Sequence, residues 1–192
     1  MFPRLSNRIV DVLVENKTIN SENRELYYYG FNQGLTAILN LFTVLLIGII
    51  FGCTVQLAVF MVAYIPLRSY AGGFHASTHI RCYILSIIIL CVIALILNID
   101  IISMDLFYCV GTLSVLAIIL LCPVEDKNKP LDQLESKVYK KRTIIIMLIE
   151  ILFGELFLII GLYKLHVCLC LCLITVGILL VGGMIKNAIL NR

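Results

Sequence analysis

Six apolar runs dominate the chain, over residues 31–50, 51–67, 80–98, 104–122, 143–163 and 166–185. A helix that crosses the hydrocarbon core of a bilayer, about 30 Å thick, needs about 20 apolar residues, so each run reads as a membrane span. The second run is the least regular. Gly48, Gly52 and Cys53–Thr54 predict a tight turn ahead of it, and Pro66 is expected to disturb its far end. A helix confined to 54–67 is only about 21 Å long. The segment Arg68–Arg81 behind it is therefore expected to sit partly sunk in the membrane. Composition agrees: 61% of the 192 residues are hydrophobic and 14% charged, where soluble domains carry about 25% charge. The reading is an all-α integral membrane protein with one membrane domain over 1–192.

Charge sets the expected orientation. With both termini in the cytoplasm, the inside segments are 1–30, 68–79, 123–142 and 186–192, with Arg81 at an inside junction. They hold fourteen of the fifteen Lys and Arg residues, leaving Lys164 outside. This is the positive-inside pattern of a six-span, N-in/C-in protein. The net charge of +3 is small, and the basic residues are not arranged for nucleic acid. Charges interrupt residues 1–25, so no signal peptide is expected there. The eight cysteines lie mostly inside apolar runs at irregular spacing, which argues for small hydrophobes rather than a disulfide framework.

Ahead of the first span, Leu5, Ile9, Val12 and Leu13 recur at helical spacing between polar residues. This predicts an amphipathic helix, either lying in the membrane interface or packed on cytoplasmic parts of the protein. Ser21–Glu22 is a plausible cap for a second helix, and Tyr27, Tyr28 and Tyr29 sit where an aromatic belt would anchor the first span.

The segment R68-S-Y-A-G-G-F-H75-A-S-T-H79-I-R-C82 stands out because ionisable residues at membrane depth are costly and tend to be functional. Cys82 follows Arg81 and lies in the first turns of the third span, where positive charge and the helix dipole favour a thiolate. His79 is three residues before Cys82, on the same face of a continuous helix. His75 is seven before, about 10.5 Å along such a helix, and reaches the thiol only if the chain leaves the helix between them. Spacing alone therefore favours His79 as the base. Gly72–Gly73 supplies backbone freedom just upstream. The i, i+4 histidines lack the glutamate of a zinc-protease motif, so neither a metal nor another cofactor is expected.

The pattern R68-x4-G73-x-H75-x6-C82 between the second and third spans resembles the accessory gene regulator B (AgrB) family. The P123-V-E-D-K-N-K-P-L131 loop, the amphipathic N-terminus and the chain size agree with it. The resemblance implies a cysteine endopeptidase of the bacterial plasma membrane. Such an enzyme removes the C-terminal tail of a short cytoplasmic propeptide and helps make a cyclic autoinducing peptide for quorum sensing. It implies Cys82 as nucleophile and His75, rather than His79, as base, with Arg68 and Gly73 at positions the family needs. It thus predicts a non-helical 72–77. The resemblance also suggests a homodimer.

On this reading Arg68 or the amides at Gly72–Gly73 are candidates to hold the oxyanion. Lys127, Lys129, Lys140, Lys141 and Arg142 in the 123–142 loop are candidates to bind an acidic propeptide tail, with anionic lipid as the alternative. Glu150 and Glu155 are ionisable groups inside the fifth span, expected to pair structurally or to line a cavity. Cys168, Cys170 and Cys172 read as apolar filler. Gly111, Gly177, Gly182 and Gly183 offer packing surfaces. The competing reading is a small transporter or scaffold without hydrolytic chemistry. It explains the spans and the glutamates but not the 68–82 cluster.

Overall fold

The computed structural model describes residues 2–74, 78–99, 104–125 and 132–190. Among these the chain is helical almost throughout. In order come α1 (Pro3–Glu15), α2 (Arg24–Ile50), α3 (Thr54–Ala71), α4 (His79–Asn98), α5 (Met104–Leu121), α6 (Gln133–Ile159) and α7 (Tyr163–Leu190). Helices α2 to α7 overlie the six apolar runs. Among the described residues, three stretches, Ser21–Ile50, His79–Asn98 and Tyr163–Ile189, are long and apolar enough to cross a membrane, and Phe107–Leu121 is a shorter apolar helix. Outward residues such as Ile49, Val62, Leu120 and Ile159 are exposed, as a lipid-facing surface requires.

Helix α7 is the hub and packs against α3, α5 and α6. Its Cys168, Cys172, Val176 and Leu180 are buried with Leu57, Phe60 and Leu67 of α3, Ile118 of α5 and Met147 of α6. Small residues bring α7 close to its neighbours: a Cβ at Gly177 would lie 3.0 Å from the Ser114 Cβ. Gly111 meets nothing within 4 Å and takes no part in this packing.

Contacts between helix ends fix their directions. At one end Tyr70 of α3 meets Arg142 of α6, and Glu125 after α5 meets Asn187 of α7. At the other, Asn98 of α4 donates to the Phe51 carbonyl after α2, and Cys168 of α7 to the Gln56 carbonyl of α3. Helices α2, α4 and α6 therefore run one way and α3, α5 and α7 the other.

Several expectations change. The turn at 51–53 forms as the glycines predict, with Gly52 at φ 66° and Cys53 capping α3. Pro66, however, does not end the second run: α3 continues to Ala71. Its Phe60, Leu67 and Ala71 are buried, and packing on both sides of the proline outweighs one lost backbone hydrogen bond. At 18 residues the helix is about 27 Å long, and Arg68 lies in its last turn rather than in a loop. Helix α6 begins at Gln133, ten residues before the expected span. There Asp132 and Glu135 form a capping box that satisfies the first orphan amides. Lys137, Lys140, Lys141 and Arg142 are thus helical. Ser21 is not a cap: it opens a 3-10 turn over Ser21–Asn23 that runs into α2 without a side-chain cap.

The N-terminal helix forms as its periodicity predicts. Ser6 and Val10 of α1 are buried, and α1 packs against α2. Arg24 clasps Asp11 at 2.7 Å and Asn7 at 3.1 Å. Leu5 and Val12 remain exposed, so the helix keeps an outward apolar edge while docked.

Candidate active site

Cys82 is the fourth residue of α4. The helix starts where it does because Thr78, in extended conformation, accepts from the Arg81 amide through its hydroxyl at 3.3 Å. The Cys82 amide closes the first turn on the Thr78 carbonyl at 3.0 Å. The Cys82 thiol is free and half-buried. Its place in the first turn puts it near the positive end of the α4 dipole. His79 is the first residue of the helix and is exposed. His75 lies outside the described residues, as do Lys127 and Lys129.

Gly72 and Gly73 are docked rather than free. They take φ 73° and 109°, conformations that glycine alone adopts readily. A parallel bridge joins Gly72 to Val124. The Val124 amide donates to the Ala71 carbonyl at 3.0 Å, Gly73 to the Val124 carbonyl at 3.1 Å, and Phe74 to the Leu179 carbonyl at 2.7 Å. A Cβ on Gly72 would stand 2.1 Å from the Val124 carbonyl oxygen, and one on Gly73 2.8 Å from that of Leu179. From the other side, a Cβ on Gly183 would lie 2.6 Å from the Gly73 carbonyl carbon. Residues 72–74 are non-helical, as expected, but the backbone is pinned between α5 and α7.

This docking narrows the oxyanion candidates. The Gly72 amide donates to the Arg68 carbonyl and the Gly73 amide to Val124, so both are used inside the fold. Arg68 donates through Nη2 to the Phe74 carbonyl. Its Nη1 is buried without a hydrogen-bond partner. Tyr64, one turn before Arg68 on the same helix, hydrogen-bonds the Arg68 side chain. Sequence reasoning missed Tyr64. The i, i+4 spacing to Arg68 was its only signal. Val124 and Leu179 were also missed, because they contribute backbone carbonyls that any residue carries.

A cavity of about 550 Å³ opens between α2, α3 and α4. Tyr64, Tyr83 and Ser86 line it beside mostly aliphatic residues of α2 and α3. Tyr83 and Ser86 flank Cys82 on α4, and Tyr83 is anchored by a 2.6 Å hydrogen bond to Thr43. This cavity is apolar with a few hydroxyls, the character of a site for an aliphatic peptide segment.

The described basic candidates divide. Arg142 donates to the Tyr70 hydroxyl at 2.9 Å and lies 5.1 Å from that ring's centroid, a structural tie between α6 and α3. Lys140 and Lys141 are exposed. Glu150 and Glu155 line an open cleft between α5, α6 and α7. Cys168 and Cys172 are buried in the core, and Cys170 approaches His166 Nε2 at 3.6 Å. Among the described residues, no group of three His, Cys, Asp or Glu side chains is placed to hold a metal ion.

Comparison with known proteins places this arrangement in context. The family described as accessory gene regulator B matches residues 6–184. The chain is 24% identical over 171 residues to AgrB-like protein 2 of Clostridium perfringens (strain 13 / Type A), covering 85% of this chain and 80% of that protein. It is also 24% identical over 172 residues to an AgrB-like protein of Clostridium perfringens (strain SM101 / Type A), covering 86% and 80%. No solved structure matches the chain.

Proposed function

The chain belongs to the accessory gene regulator B family, a membrane family of autoinducer-peptide processing, and on that premise we propose that it is a cysteine endopeptidase with Cys82 as nucleophile. It spans the plasma membrane six times with both termini and the 68–82 segment on the cytoplasmic side. Its substrate is a short propeptide, and it works as a homodimer without a cofactor. The observation that carries this reading is the position of Cys82. It is a free, half-buried thiol in the first turn of a helix whose following residues Tyr83 and Ser86 line an apolar cavity.

The chemistry follows from that position. His75 takes the Cys82 proton, with His79 the alternative base, and the thiolate adds to the scissile carbonyl. Arg68 Nη1 is the candidate donor to the developing oxyanion. The C–N bond breaks, the base returns the proton to the leaving amine, and the N-terminal part of the propeptide remains on Cys82 as a thioester. A thiol or hydroxyl of the same peptide then attacks that carbonyl and releases Cys82, closing a thiolactone or lactone. With a thiol the exchange is roughly isoenergetic. An intramolecular nucleophile at high effective molarity outcompetes the water that a partly sunk site excludes.

The test is co-expression with the propeptide encoded by a short reading frame beside the gene. Tail release and a hydroxylamine-sensitive propeptide adduct on Cys82 are expected, both lost in Cys82→Ala. Release of the tail by Cys82→Ala overturns the mechanism and returns the transporter or scaffold reading.

A further inference from the structure

About 25 Å along α7 from the contact of Gly183 with Gly73, counting 1.5 Å per residue back to His166, lies a second polar site that the peptidase reading does not use. An open cleft of about 230 Å³ lies between α5, α6 and α7. Its wall includes Glu150, Glu155, Tyr108, Thr112, His166 and Cys170. Glu150 is 5% exposed, and apart from the neighbouring Cys172 thiol its carboxylate oxygens lack a hydrogen-bond partner. A buried carboxyl so thinly partnered is costly, and 230 Å³ is room for several waters, at about 30 Å³ each in the liquid. Glu155 is exposed, one turn and a residue further along α6. Among the described residues, no Lys or Arg lines the cleft.

His166 does not neutralise Glu150. Its Nδ1 is 2.9 Å from the Gly154 carbonyl, and its Nε2 faces Cys170. The Thr112 hydroxyl donates to the Tyr108 carbonyl at 2.7 Å, which leaves its lone pairs free to accept from a cation's shell. The cleft therefore presents hard oxygen ligands of one charge sign on an apolar wall.

We propose that this cleft is a binding site for a monovalent alkali cation, with Glu150 as the charged ligand and Glu155 drawing cations to the opening. The stoichiometry of charge favours a monovalent ion: one fully buried carboxylate plus one cation is neutral. Calcium takes 6–8 oxygen ligands, more than this wall offers. Transition metals prefer nitrogen and sulfur donors in sets of three or four, and no such set occurs among the described residues. The site lies between the α6–α7 turn and the middle of the bundle, in the half away from the docked 72–74 segment.

Cys170 on the wall is a built-in reporter, and Cys109 on α5, which is exposed, is the reference. The full chain is placed in lipid nanodiscs, and alkylation of both thiols is followed by peptide mass spectrometry. Sodium or potassium chloride replaces choline chloride at constant ionic strength. A slowing of Cys170 by about threefold or more in the alkali salts, absent in Glu150→Gln and absent at Cys109, is the expected result. Equal rates in alkali and choline salts, a slowing that survives Glu150→Gln, or protection by calcium alone overturns the assignment. Because Glu150→Gln can alter folding, the melting temperature of the unmodified protein is read in the same salts. A bound cation raises it in alkali salt relative to choline, and an unchanged value overturns the site independently of any variant.

Discussion

Arg68 donates through Nη2 to the carbonyl of Phe74, tying the last turn of α3 to the residue immediately before His75. The same guanidinium leaves Nη1 buried and unpartnered on the side where Gly73 passes. One planar group with several fixed donors thus holds the segment between the two glycines and the histidine and still presents a free donor.

Arg68→Lys tests this double use. A lysine is a point charge without the planar fork, so it cannot bond the Phe74 carbonyl and offer a second donor in the same geometry. Loss of one hydrogen bond from a charged group is worth about 1.5–3 kcal/mol, or about 10- to 100-fold in rate. Tail release by Arg68→Lys is expected to fall by that factor while circular dichroism keeps its helical signal. Unchanged turnover removes Arg68 from the site.

Gly72→Ala and Gly73→Ala are expected to dislodge the segment, because a methyl group would meet the Val124 and Leu179 carbonyls well inside contact distance. Each adds a positive-φ cost of about 1–3 kcal/mol. Gly111→Ala, with nothing within 4 Å, is the matched control. Thermal melting and tail release should both fall for the first two, whereas the third, a helix-interior glycine with room for a methyl group, should lose neither. Equal behaviour of all three contradicts the docking.

Lys140 and Lys141 stand exposed on α6, whereas Arg142 is engaged with Tyr70. If the pair gathers an acidic propeptide tail, Lys140→Gln with Lys141→Gln raises KM and leaves kcat alone. The wild-type KM should also rise as salt screens the attraction over about 10 Å at 0.1 M. A KM indifferent to both changes assigns the pair to lipid contact instead.

Asp132→Ala removes half of the capping box that starts α6. Caps of this kind contribute about 1 kcal/mol. Amide exchange over 133–137 should quicken by roughly fivefold, while the apolar part of α6 is unaffected. If exchange is unchanged, the cap does not set the start of the helix.

The apolar runs made the helices legible, because lipid demands long uninterrupted segments and the sequence supplies them. What escaped lay where packing overrules local preference. Pro66 sits in a helix held on both sides by Phe60 and Leu67, and the basic stretch 137–142 is helical because Asp132 caps it upstream. The cluster from Arg68 to Cys82 was legible from its ionisable residues at membrane depth. Its supports were not: the Gly72–Gly73 pair looked like a hinge, and only the tertiary approach of Val124 and Leu179 shows it as a docking point. Tyr64 was hidden among the apolar residues of α3.

The reactivity of Cys82 tests the central claim most directly and needs no substrate. Membranes carrying the wild type, His75→Ala and His79→Ala are treated with a thiol-alkylating reagent from pH 5 to 9, and each cysteine is read by mass spectrometry, with exposed Cys109 as reference. The account predicts that Cys82 reacts well below the roughly 8.5 of a free thiol, and that His75→Ala alone abolishes this shift. A shift removed by His79→Ala moves the base to that residue. A Cys82 that reacts only near the roughly 8.5 of a free thiol in all three proteins contradicts its assignment as an activated nucleophile.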